Sequence, residues 1–132
     1  MNSVMKAATR AFNPLAMPIA ASGVIPVWGV VRHTGRKSGR TFMTPVALGA
    51  TRDYFYVPLP YGDRTDWCRN VIAAGGGEIR YGGRYTRVRE PELVSAEEAI
   101  PAFPRVIRPL IDAFGMTKFI RLRRSDTAQR AA

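Results

Sequence analysis

The apolar run Val27–Val31 ends on Arg32 and His33 and predicts a buried strand over Val27–His33. Gly35 and Gly39 then punctuate the chain. Thr41–Leu48 reads as a second strand, with Pro45 marking an edge or bulge, followed by a turn at Gly49–Asp53. Tyr54–Val57, aromatic and β-branched, is a third strand. Beyond Pro58-Leu59-Pro60-Tyr61-Gly62, Asp63 is the expected helix N-cap, with Asp66 three residues on. Trp67, Val71 and Ala74 share one helical face, and Gly75-Gly76-Gly77 ends the helix. Glu78–Tyr81 and Arg84–Val88 flank Gly82-Gly83, the residues a type I′ hairpin turn requires. Ser95-Ala96-Glu97-Glu98 is a capping-box signature for another helix. Pro101, Pro104 and Pro109 cut the next stretch into short pieces, and Thr117–Arg123 closes the series as a strand.

Hairpin connections dominate this order and no βαβ series occurs. The expected class is α+β, mainly antiparallel: a sheet or small barrel with peripheral helices. The 132 residues read as one domain, with 1–24 a helix and loop, 25–124 the sheet and its helices, and 125–132 a polar tail. No charge falls in the 21 positions between Arg10 and Arg32. Pro14, Pro18 and Pro26 argue against a membrane span there. The preferred reading is a short amphipathic helix and loop. A signal peptide and a helix lying on a membrane surface are the alternatives.

Charge adds a constraint on partners. Twenty Lys+Arg against ten Asp+Glu give +10, with a pI near 10.8. The chain is expected to attract anions: nucleic acid, anionic lipid, or a phosphorylated or carboxylated small ligand. Seventeen of the cations are Arg, whose planar fork suits phosphate and carboxylate. One cysteine and one histidine exclude an intrachain disulfide and a Cys/His metal cluster.

Four segments carry candidate chemistry. In Gly35–Arg40, two glycines with Arg36, Lys37, Ser38 and Arg40 form a potential anion nest; the spacing is not that of a Walker loop. In the helix after Asp63, Trp67 is read as core or as a pocket wall, and Asn70 as a tie to neighbouring backbone. Cys68 as a nucleophile would depend on His33, itself read as a structural hydrogen-bonder at a strand end. Arginines interleave with Tyr81 and Tyr85 in the hairpin, but no RNA-recognition signature accompanies them, so nucleic acid ranks last among the anionic partners. From Arg105 to Arg124, six cations stand against Asp112 alone. With Phe103, Phe114 and Phe119, that segment reads as a core cover or as a basic, apolar surface that meets lipid.

The run His33-Thr34-Gly35-Arg36-Lys37-Ser38-Gly39, followed by Thr44-Pro45-Val46, resembles the deazaflavin (F420)-dependent nitroreductases and quinone reductases. The likeness continues at Trp67, Asn70-Val71 and Ala73-Ala74, and at Gly82-Gly83-Arg84-Tyr85 with Arg87-Val88, covering about residues 25–100. It implies a split β-barrel that pairs into a homodimer. A deazaflavin phosphate tail would rest on Arg36, Lys37, Ser38, Gly39 and Arg40, with the ring facing Pro58, Leu59, Pro60 and Trp67. The implied reaction is hydride transfer to a quinone, nitro compound or enone, in the cytoplasm. No catalytic residue is implied; Tyr54, Tyr56 and Tyr61 stand near the expected groove unranked.

This chain departs from the family pattern at three places. Phe42 stands where an Arg is usual, with Arg40 two residues before it. Pro58-Leu59-Pro60 replaces a small polar or basic pair, and the Tyr-rich C-terminal region is replaced by phenylalanines. FMN is an alternative cofactor. A fatty acid in its place, in a lipid-binding relative at the inner face of the plasma membrane, is the alternative function.

Overall fold

The computed structural model describes residues 28–125. The expected N-terminal helix and loop, and the polar tail beyond 125, lie outside the described residues. Seven strands form one antiparallel sheet: β1 Trp28–Thr34, β2 Thr41–Ala47, β3 Gly49–Ala50, β4 Tyr54–Pro58, β5 Gly76–Tyr81, β6 Arg84–Ser95 and β7 Lys118–Arg124. The helices are α1 Asp66–Ala74, α2 Ala96–Ala99 and α3 Arg108–Ala113, with a 3-10 turn at Ile100–Ala102.

The strand order is β2-β1-β5-β6-β7-β4-β3. Strands β2 and β3 are therefore opposite edges, yet only Leu48 separates them in sequence. Laid flat, seven strands about 4.8 Å apart would hold those edges about 29 Å from each other. A one-residue link cannot span that distance. The sheet must curl until its edges nearly meet, without the hydrogen bonds that would close it. This is the split form of a barrel, and the α+β class expected from the sequence.

Alternation along the strands makes two cores. Inside the curl lie Val31, Val46, Leu48, Phe55, Val57, Leu59, Cys68, Val71, Ile79, Val88, Ile120 and Leu122. Outside, Tyr56 and Phe119 pack with Ala99, Phe103 and Ile111 under the C-terminal helices. Phe103 and Phe119 meet edge to face at 5.9 Å.

Local signals were mostly kept, with four differences, the first being that the turn expected over Gly49–Asp53 opens with the two-residue edge strand β3 at Gly49–Ala50. The N-cap of α1 is Thr65, not Asp63, because Gly62 closes a tight turn onto Leu59 and the helix begins beyond it. Gly75 alone is the left-handed C-cap, at φ 75°; Gly76 and Gly77 already belong to β5. A Cβ at Gly76 would lie 2.1 Å from the Val88 carbonyl oxygen, so the strands approach too closely there for a side chain. Strand β6 runs to Ser95 rather than stopping at Val88. It pairs with β5, then with β7, across a bulge between Arg89 and Glu92 where Glu90 takes φ 53°. Gly82 and Gly83, at φ 60° and 78°, make the expected I′ turn. Ser95 caps α2 by accepting from the Glu98 amide at 3.4 Å, and Pro101 confines the helix to one turn.

Candidate anion-binding loop and its anchor

Thr34 and Thr41 are register partners, so Gly35–Arg40 forms the connection of the β1–β2 hairpin. The loop closes on itself. The Gly35 amide donates to the Arg40 carbonyl at 2.7 Å, the Gly39 amide to the Gly35 carbonyl at 2.9 Å, and the Arg40 amide to Ser38 Oγ at 3.2 Å. Lys37, Ser38, Gly39 and Arg40 are exposed at its tip. Among the described residues, the amides of Lys37 and Ser38 are the two in this loop without a protein partner.

Arg36 turns the other way, toward α1. Its amide and its Nη1 both donate to Asn70 Oδ1, at 3.1 and 2.7 Å, and its Nη2 lies 3.5 Å from Asp66 Oδ1. Asn70 is buried, and its Nδ2 meets His33 Nδ1 at 3.0 Å. His33 Nε2 meets Thr44 Oγ1 at 3.0 Å, and the ring stacks on Phe42 at 5.8 Å. Donor counting sets the protons. Arg36 can only donate, so it must face the Asn70 oxygen. Asn70 then presents its NH₂ to His33, which must accept through an unprotonated Nδ1 and donate from Nε2. Burial holds the His33 pKa below the ordinary 6.5, with Asp66 opposing.

Beside the base of the loop is an open cleft of about 380 Å³, lined by Arg32, His33, Thr34, Thr41, Gly77, Glu78 and Arg87. Arg32 pairs with Glu78 at 3.6 Å across β1 and β5. The sheet order brings Glu78 and Arg87 to this cleft. No spacing along the chain pairs them with residues 32–41, although Arg87 stood in the motif match. Asp66 and Thr44 lay in segments the sequence singled out, but no spacing joined Asp66 to Arg36 or Thr44 to His33. The roles of His33 and Asn70 as hydrogen-bonding ties were legible.

The structure separates the other expected site residues. Pro58 and Leu59 are buried, Leu59 within the inner core, while Pro60 is exposed. Trp67 is half-buried against that core. Tyr54 and Tyr56 lie on the outer face of the sheet. Tyr56 donates to Glu98 Oε2 at 3.4 Å, and burial together with Glu98 raises its pKa. Tyr61 is exposed. Cys68 is fully buried, and burial, aided by Asp63, pushes its thiol up to about 11, which does not suit a nucleophile.

The C-terminal cations are largely spoken for. Arg121 donates to Glu98 and Glu92 at 2.6 and 2.7 Å and lies 4.7 Å above Tyr54. Arg123 donates to the Tyr54 hydroxyl, Arg124 to the Thr51 carbonyl, and Arg108 to the Phe103 and Pro101 carbonyls. Among the described residues of this segment Arg121 alone is paired with carboxylates; Arg108, Arg123 and Arg124 are held by neutral oxygens and keep their charge, as do Arg105 and Lys118. Val106, Leu110 and Phe114 of the same segment are exposed. No helix among the described residues is long and apolar enough to cross a membrane.

No family model and no curated protein matches the chain. Its fold is similar to that of solved structures at low identity. An F420-H2 dependent reductase (FDR-A) aligns with a TM-score of 0.57 at 13% identity, covering 73% of this chain and 93% of that one. A domain-swapped dimer aligns with a TM-score of 0.57 at 13% identity, covering 86% and 98%. The protein Atu2129, of unknown function, from Agrobacterium tumefaciens str. C58 aligns with a TM-score of 0.52 at 17% identity; the match spans 83% of this chain and 53% of that one.

Proposed function

We propose that this chain is an F420-dependent oxidoreductase that holds the anionic tail of the coenzyme on the tip of the Gly35–Arg40 loop. The observation that carries the reading is the loop's donor set. Two exposed cations, Lys37 and Arg40, the Ser38 hydroxyl and two unclaimed amides converge on one tip, and the donors suit a phosphate. The likeness in fold to an F420-H2 dependent reductase, at low identity, adds support from a separate direction.

In this reading Arg36 is the anchor that shapes the loop rather than a ligand. The coenzyme supplies the hydride; the chain binds, orients and excludes water. The acceptor is a quinone, a nitro compound or an enone. The working unit is the single domain, and the domain-swapped dimer of similar fold supports a homodimer.

A fluorescence titration of the full chain with F420 tests this. Saturable binding is expected below about 100 μM, a free energy near 5.5 kcal/mol. Lys37→Ala and Arg40→Ala are each expected to weaken it about tenfold, as the loss of a charge-assisted hydrogen bond requires. Mass spectrometry of the ligand retained through purification is the second arm. Recovery of a fatty acid or FMN, with no F420 binding in that range, overturns the assignment.

A further inference from the structure

Asn70 is the hinge of a circuit that tolerates one protonation state. Its oxygen is committed to two Arg36 donors and its nitrogen to the His33 Nδ1 lone pair. If Nδ1 gains a proton, two donors face each other across 3.0 Å. Rotating the amide by half a turn relieves that contact, but it sets the Asn70 NH₂ against the Arg36 amide and guanidinium. No orientation of Asn70 satisfies both sides once His33 is charged.

We propose that the His33–Asn70 contact is a proton-operated latch on the Gly35–Arg40 loop, closed when the ring is neutral and opened when Nδ1 is protonated. The parts belong to separate elements: His33 to β1, Asn70 to α1 and Arg36 to the loop. Protonation therefore forces a choice: Asn70 keeps its two Arg36 donors and loses His33, or it turns its oxygen to the charged ring and gives up both of its bonds to the loop, and the latch opens by the second route. The charged groups around the ring are Asp66 on α1 and Arg36 in the loop, with Arg32, Glu78 and Arg87 in the cleft it shares. Thr44 and Phe42, which meet it from β2, carry no charge. Asp66 opens with the latch, since its bond to Arg36 at 3.5 Å is long and its side chain is 69% exposed.

Burial fixes the sign. The folded pKa of His33 lies below its unfolded value near 6.5. The stabilisation from the closed circuit is therefore complete above about 6.5 and is lost as pH falls through the folded pKa. The latch concerns the loop's own conformation, and its test needs no ligand. Its failure and the failure of the cofactor reading are therefore separate results.

The experiment is an NMR titration of the full chain. At neutral pH the His33 ring is expected as the Nε2–H tautomer. On acidification, the Arg36 amide and the Asn70 side-chain NH₂ signals should shift with the midpoint of the ring, below 6.5. Asn70→Asp supplies the sharper arm. A carboxylate accepts from Arg36 and from a protonated His33 at once, so the latch should hold when charged. The His33 midpoint should rise by about one pH unit or more. An Nδ1–H tautomer at neutral pH, or an Arg36 amide that ignores the ring's titration, overturns the proposal in the unmodified protein. A His33 midpoint unmoved by Asn70→Asp does so in the variant.

Discussion

Arg36 and Arg121 are covered to the same degree, with side chains 22% and 24% exposed, and their surroundings differ completely. Arg121 is gripped by two carboxylates at 2.6 and 2.7 Å, so its neighbourhood carries more negative charge than its own positive charge. Arg36 is held mainly by a neutral amide oxygen at 2.7 Å, with its one carboxylate farther off at 3.5 Å. A neutral acceptor positions a cation without cancelling it. Beside Arg36, Lys37 and Arg40 stand at the loop tip with no carboxylate partner among the described residues, whereas the charge of Arg121 is offset by its own two. Both arginines come from basic runs that look alike in sequence. The difference is made by acids delivered from elsewhere: Glu92 from beyond the β6 bulge and Glu98 from the first turn of α2.

Asn70→Ala should have the largest effect, costing about 2–3 kcal/mol in urea denaturation, because it strands two Arg36 donors and the His33 acceptor together. A cost below 1 kcal/mol would mean that water replaces Asn70 freely, and the anchor would be no more internal than the Arg121 cluster. The double change Glu92→Gln and Glu98→Gln should cost about 1 kcal/mol, since the carboxylates are 55% and 41% exposed and such pairs are screened. Raising the salt concentration should narrow that gap and leave the Asn70→Ala gap nearly unchanged. Lys37→Ala should move stability least, within about 0.5 kcal/mol, because Lys37 lies at the exposed loop tip. A larger loss of stability would show that the tip is part of the scaffold rather than a surface left for a ligand.

Much of the fold was legible because its signals are local. Gly82-Gly83 names its own turn, Ser95 its own cap, and the aromatic and β-branched residues of Tyr54–Val57 their strand. The helix start was misread because Asp63 and Thr65 are both good caps, and the choice between them rests on the turn Leu59–Gly62 makes. The full length of β6 was hidden by Pro91 and by charges at 89, 90 and 92, which look like the end of a strand. Only a partner on each side, β5 and then β7, makes a bulged continuation worthwhile.

By itself, the sequence determined the antiparallel hairpin order, the basic glycine-bearing loop and the hydrogen-bonding character of His33 and Asn70. These depend on residue chemistry and on neighbours a few positions away. The tertiary structure decided which charges survive. Strand order put Glu78 and Arg87 against the loop's base, and α1 carried Asp66 and Asn70 onto Arg36 from about thirty positions along the chain. Electrostatic pairing falls off with distance in space and is blind to distance along the chain. The partner of each arginine was therefore fixed only when the sheet curled.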